Sequence, residues 1–166
     1  AEATAEILLH SFKVLKEDNI SLLSDLNNKY ISNTDVKKLP SHHIIIFAIN
    51  QLGCKNLYKL ISKSNLEYFF RTPRMPKSEI ASLREGLLIG SACEAGEVYK
   101  EIMLGRSDEE MEKIISFYDY LEIQPVGNNQ FMIEKGIVKD FDELREINKR
   151  IYRLGKKYNK PVVATG

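Results

Sequence analysis

The sequence predicts an α/β fold built as an open sheet or a (β/α) barrel, and three observations carry that reading. Short β-branched runs at 43–48, 87–89, 120–123 and 162–163 are separated by longer segments with helical spacing of apolar residues. Two of those segments open with cap signatures, Ser107 followed by Glu110 and Asp140 followed by Glu143. At 166 residues and 43% hydrophobic content the chain can bury one real core. Strands separated by helices imply parallel pairing. No internal repeat decides between the open sheet and the barrel.

Taken in order, Ile7, Leu8, Phe12 and Leu15 recur at helical spacing and predict an amphipathic helix from about Ala3 to Lys16. Residues 27–40 are polar and rich in Asn, Ser and Lys, as in a linker or long loop. His43-Ile44-Ile45-Ile46-Phe47-Ala48 is short and apolar enough for a buried strand. A helix follows with Leu57, Leu60, Ile61 and Phe69 toward one side and Lys55, Lys59 and Lys63 every fourth residue, until Pro73 and Pro76 break the pattern. A short helix from Ser78 to about Arg84 precedes the strand at 87–89, and helices are expected from about Glu94 to Leu104 and from Ser107 to Phe117. The strand Tyr120–Ile123, a polar stretch around Gly127-Asn128-Asn129, a long helix from about Phe141 to Tyr158 and a strand at Val162-Val163 complete the order.

Charge excludes little and suggests no global partner: 24 Lys and Arg face 23 Asp and Glu, so any basic footprint is local. No apolar run approaches the ~20 residues a membrane span needs, and no signal-peptide core opens the chain, so it reads as soluble and cytoplasmic. In a reducing compartment Cys54 and Cys93 are expected to be buried, reactive or metal-bound rather than paired. The absent initiator Met and the stop after a strand at Gly166 suggest an excised piece.

In either architecture functional groups gather at the carboxyl edge of the strands. The stretch Gly90-Ser91-Ala92-Cys93-Glu94-Ala95-Gly96-Glu97 occupies such an edge. A thiolate there is both a metal ligand and a nucleophile, and a helix N-terminus would lower its pKa; the ordinary alternative is a small packed residue in a turn. His42 and His43 offer imidazoles at a strand end, although no metal-binding spacing supports them on composition alone. Lys55, Lys59 and Lys63 on one helix face, with Arg71 and Arg74 among the prolines, suit DNA phosphates or a solvated face equally. Arg145, Lys149, Arg150, Arg153, Lys156 and Lys157 enrich the last helix in positive charge, in part complementing its dipole.

The blocks Asn50-Gln51-Leu52-Gly53-Cys54-Lys55-Asn56-Leu57, Leu66-Glu67-Tyr68-Phe69-Phe70-Arg71-Thr72-Pro73-Arg74 and Glu85-Gly86-Leu87-Leu88-Ile89-Gly90-Ser91-Ala92-Cys93 closely resemble the PHP domain of bacterial DNA polymerase III catalytic subunits. Tyr118-Asp119-Tyr120-Leu121-Glu122-Ile123-Gln124-Pro125 and Glu134-Lys135-Gly136-Ile137-Val138 resemble the PolC-type branch in particular. The resemblance covers about residues 41–166. It implies the later part of a distorted (β/α)7 barrel, preceded over 1–26 by the helical end of an inserted DnaQ-like 3'-5' exonuclease and over 27–40 by a linker.

The same resemblance implies a metal cluster in the complete domain, of zinc, manganese or magnesium, to which His43 and Cys93 correspond as ligands. His42 and Glu97 stand as neighbours that could orient or join them. Further family ligands would lie before the exonuclease insertion and after Gly166, so isolated metal binding is expected to be weak or absent. No polymerase or exonuclease catalytic residue is expected in this stretch. The implied partners are DNA, other polymerase domains and replication machinery such as the sliding clamp, with no membrane. A stand-alone PHP-type metal-dependent phosphoesterase is the alternative.

Overall fold

The structure, a computed structural model, describes residues 2–22, 25–26, 29 and 35–166. It divides into two compact units, Ala1–Leu39 and Pro40–Gly166. The first contains α1 (Glu2–Glu17), close to the expected bounds, and Ile7, Leu8, Leu9 and Phe12 on it are exposed. Of the predicted 27–40 linker, residues 27, 28 and 30–34 lie outside the described residues, as do residues 1, 23 and 24 of the segment ascribed to the exonuclease end. Val36–Lys38 forms one 3-10 turn capped by Asp35.

The second unit runs β1 (Ile45–Ala48), α2 (Gln51–Leu66), α3 (Lys77–Ser82), β2 (Leu87–Gly90), α4 (Glu97–Met103), α5 (Asp108–Ile115), β3 (Leu121–Ile123), α6 (Gln130–Glu134), α7 (Phe141–Lys157) and β4 (Val162–Ala164). Both N-caps form, although Glu143 accepts from the Lys139 N–H at 2.7 Å rather than from the cap residue Asp140. Ser107 and Glu110 make a reciprocal capping box, and Asp140 accepts from the backbone N–H groups of Asp142 and Glu143. A 3-10 turn at Val126–Asn129 and α6 occupy the polar Gly127-Asn128-Asn129 stretch and the residues after it, where no element was expected. Phe69 falls outside α2, which ends at Leu66, and is exposed.

β3 and β4 pair in parallel, Leu121 opposite Val162. β1 and β2 pair antiparallel, Ile45 opposite Gly90 and Ala48 opposite Leu87, which overturns the expectation of parallel pairing there. The cause is the path between them. After α2 the chain doubles back along that helix: Lys63 near its end meets Glu79 at 2.9 Å, the Asn56 side chain donates to the Glu85 carbonyl at 2.9 Å, and the Ile49 N–H donates to the Gly86 carbonyl at 2.9 Å. β2 therefore starts beside the end of β1 and must run against it. A parallel bridge between Gly90 and Tyr120, with the Asp119 N–H donating to the Ile89 carbonyl at 2.8 Å, joins the ladders in the order β1-β2-β3-β4.

Alternation along the strands separates two faces. Ile46, Ala48, Leu87, Ile89, Leu121, Ile123 and Val162 join Leu60, Val98, Met111, Ile115, Leu144 and Ile151 of the helices in one core. The opposite face carries Ile45, Phe47, Leu88 and Val163, all exposed. The run at 43–48 is thus half-buried rather than buried, because helices cover only one side of β1.

Ion pairs dress the outer surface. Of the basic residues on α7, Arg145 pairs with Asp142, Lys149 with Glu146 and Lys157 with Asp108. Lys63 and the Tyr68 hydroxyl hold the Glu79 carboxyl below its usual range, and Glu79 in turn raises Lys63. The depressed carboxyl contributes stability that is present above its unfolded pKa and lost as pH falls through its folded value. The raised lysine contributes stability lost only as pH rises through its own folded value. The urea midpoint of Glu79→Gln is expected to lie below that of the parent at neutral pH, with the gap closing below about pH 4; a gap that persists in acid would exclude this origin.

Candidate metal centre at the carboxyl edge of the sheet

Because β1 runs against β2, its amino end lies at the carboxyl edge of β2, and this brings His43 to the turn that follows Gly90. The His43 N–H donates to the Ala95 carbonyl at 3.0 Å, and His43 bridges Gly96. The turn closes on itself through the Gly96 N–H, which donates to the Cys93 carbonyl at 2.8 Å. A Cβ at Gly96 would stand 2.1 Å from the Ser91 carbonyl oxygen, so the close crossing requires glycine. The result is a Cys93 Sγ to His43 Nδ1 distance of 3.4 Å between residues fifty positions apart.

The helix expected from Glu94 begins instead at Glu97, with Gly96 extended as its N-cap. Cys93 is therefore in the turn and not in the first helical turn. Burial pushes its thiol up from the ordinary value, with Glu94 adding to the rise and backbone N–H contact at Ala95 opposing it. The lowered thiol pKa expected from a helix N-terminus is not what this geometry gives.

His42 is partly buried, and its Nδ1 has no hydrogen-bond partner among the described residues. Burial lowers its pKa, against the pull of Glu97. Glu97 is held firmly: its Oε2 accepts from the Tyr118 hydroxyl at 2.8 Å and is ion-paired with Lys77, whose ammonium lies 4.8 Å from the Phe117 ring centroid. Tyr118 is fully buried, and burial followed by the Glu97 charge raises its hydroxyl far above the usual range.

Glu122 was not singled out by sequence reasoning, yet it sits 5% exposed at the same edge. Its Oε2 accepts from the Thr165 hydroxyl at 3.1 Å and its N–H donates to Ser91 Oγ at 2.9 Å. Its Oε1 has no hydrogen-bond partner among the described residues, although the Tyr120 hydroxyl beside it is pushed up to about 12, by burial first and by Glu122 second. An acid inside an otherwise apolar strand is the signal the sequence offers.

Two donors on a tetrahedral ion, with metal–sulfur and metal–nitrogen distances near 2.3 and 2.1 Å, stand about 3.6 Å apart. The His43–Cys93 spacing fits a shared ion as two of its ligands. No group of three or more ligating side chains converges among the described residues. Both cysteines are free, Cys54 lying exposed on α2. Lys55, Lys59 and Lys63 line a groove on α2, and the Arg71 and Arg74 guanidinium groups each lie 5.4 Å from the Phe70 centroid. No helix among the described residues is long and apolar enough to cross a membrane.

The chain is 63% identical over 166 residues to a protein named DNA polymerase III PolC-type from Clostridium perfringens, covering 99% of this chain and 12% of that protein. It is 54% identical to the protein of the same name from Caldanaerobacter subterraneus, again covering 99% and 12%, and 46% identical to that from Bacillus subtilis, covering 99% and 11%. The chain thus spans 11–12% of the length of these relatives. As a class, PHP domains bind metals. The family model for the PHP domain matches residues 6–136, most of the chain, and the chain belongs to the PHP domain family.

Proposed function

We propose that this chain is the PHP portion of a replicative DNA-directed DNA polymerase of the PolC type, and that its carboxyl edge contributes His43 and Cys93 to a divalent metal site. The 3.4 Å approach of the two donors carries the second half of this reading. An imidazole and a thiolate favour zinc over the harder manganese and magnesium. When bound, such an ion lowers the pKa of a coordinated water and neutralises charge on a phosphate oxygen. The residues themselves hold the geometry: Ala95 fixes the His43 backbone, Gly96 closes the turn, and Ser91 ties it to β3. DNA, the polymerase body and replication partners such as the sliding clamp belong to this reading of the parent protein, in the cytoplasm.

Two ligands hold an ion weakly, so affinity in the 166-residue chain is expected to be low. Titration with cobalt should produce a thiolate charge-transfer band that Cys93→Ser abolishes and His43→Ala weakens at least tenfold. Because the thiol is raised, uptake should release a proton and strengthen as pH increases toward the thiol's own value. Metal binding that is unchanged in both variants would return the pair to a packing role.

A further inference from the structure

The outer face of α2 carries a second feature that the metal centre does not use. Lys55, Tyr58, Lys59 and Ser62 follow at three- and four-residue spacing and form one stripe. With Gln51 they line a groove of about 860 Å3. Tyr58 is 71% exposed, and its ring makes no aromatic or cation–π contact among the described residues. Lys63, at one end, is neutralised by Glu79 at 2.9 Å and Glu67 at 3.8 Å, and the Tyr68 hydroxyl occupies the other Glu79 oxygen at 2.8 Å. Lys55 and Lys59 have no ion pair among the described residues.

We propose that this groove is a docking path for single-stranded DNA, with Tyr58 stacking on an unpaired base and Lys55 and Lys59 contacting the phosphates on either side. A flat aromatic ring between two unneutralised cations matches a ligand that alternates planar faces with anions. A duplex hides its base faces and offers only phosphates. An acidic peptide satisfies the lysines and leaves the ring unmatched. The choice of DNA over RNA rests on the polymerase reading above, whereas the stacking and phosphate contacts do not.

The test is fluorescence anisotropy of a labelled oligo-dT of about 12 nucleotides with the 166-residue chain. Tyr58→Ala should weaken binding about tenfold, and Tyr58→Phe should retain it, because stacking needs the ring and not the hydroxyl. Lys55→Ala with Lys59→Ala should reduce the slope of log K against log salt by about 1.4, two phosphate contacts' worth. Duplex of equal length should bind more weakly and ignore Tyr58→Ala. All substituted side chains are on the helix surface, so unchanged melting curves will show that the variants fold. Equal binding by parent and Tyr58→Ala, duplex binding as tight as oligo-dT, or a glutamate-rich peptide that binds where oligo-dT does not would each overturn the proposal; oligo-rU bound as tightly as oligo-dT would overturn the assignment to DNA. His43→Ala should leave oligo-dT binding unchanged, so failure of the metal centre is read separately.

Discussion

Gly53→Ala will destabilise the second unit by more than about 3 kcal/mol and can prevent it from folding. A Cβ at Gly53 would stand 1.8 Å from the Gly86 carbonyl oxygen and 3.3 Å from the Ala48 Cα, all backbone, so no side-chain rotation relieves it. The facing Gly86 has φ +76, and a Cβ there would meet Asn50 Oδ1 at 2.4 Å and the Gly53 nitrogen at 2.5 Å. This crossing sets the entry of β2 beside the end of β1, since Ile49 donates to the same Gly86 carbonyl and Asn50 caps α2 through the Gly53 N–H at 2.8 Å. Forcing it apart strains the antiparallel pairing that places His43 near Cys93. Urea unfolding followed by circular dichroism measures the effect; a loss under about 1 kcal/mol would mean that the crossing is looser than described.

Leu121→Ala is expected to cost about 3–4 kcal/mol. Leu121 is fully buried on β3, which pairs with β4 and is bridged to β2 through Tyr120 and Gly90, and it reaches the underside of α7 near Gly155. Gly155 lies so close to the sheet that a Cβ there would stand 2.3 Å from Val162 Cγ2, which leaves the backbone little freedom to collapse into the vacated volume. The unfolding midpoint should fall by roughly 10 °C in a thermal scan. Substituting the exposed Phe47, on the uncovered face of β1, should change stability much less, and equal losses at the two positions would contradict the assignment of faces.

The alternation of β-branched runs with 3.6-residue periodicity was enough to place the four strands among the described residues and the long helices, because both patterns are local and each is stabilised by residues a turn or a pleat apart. The caps of α5 and α7 were legible for the same reason: Ser107 with Glu110 and Asp140 with Glu143 complete their hydrogen bonds within four residues. α6 was not, since its five residues carry too little periodicity to stand out from the polar stretch before it.

At the site, local chemistry and the family resemblance pointed to His43 and Cys93, and no local signal could give their separation. The 3.4 Å approach depends on β1 running antiparallel to β2, which depends on the chain doubling back along α2 through contacts between residues 16 to 33 positions apart. The start of α4 at Glu97 was likewise decided by the close crossing of Gly96 and Ser91, which moved the helix N-terminus away from Cys93 and left burial to set its thiol. Glu122 was buried only when β3 was seated beside β2, and Thr165 was then brought to its carboxylate. By itself the sequence determined where the strands and the longer helices run and which side chains are candidates for chemistry, because those depend on neighbours along the chain. Only the tertiary structure decided strand direction, burial and proximity, because these depend on how distant backbones pack.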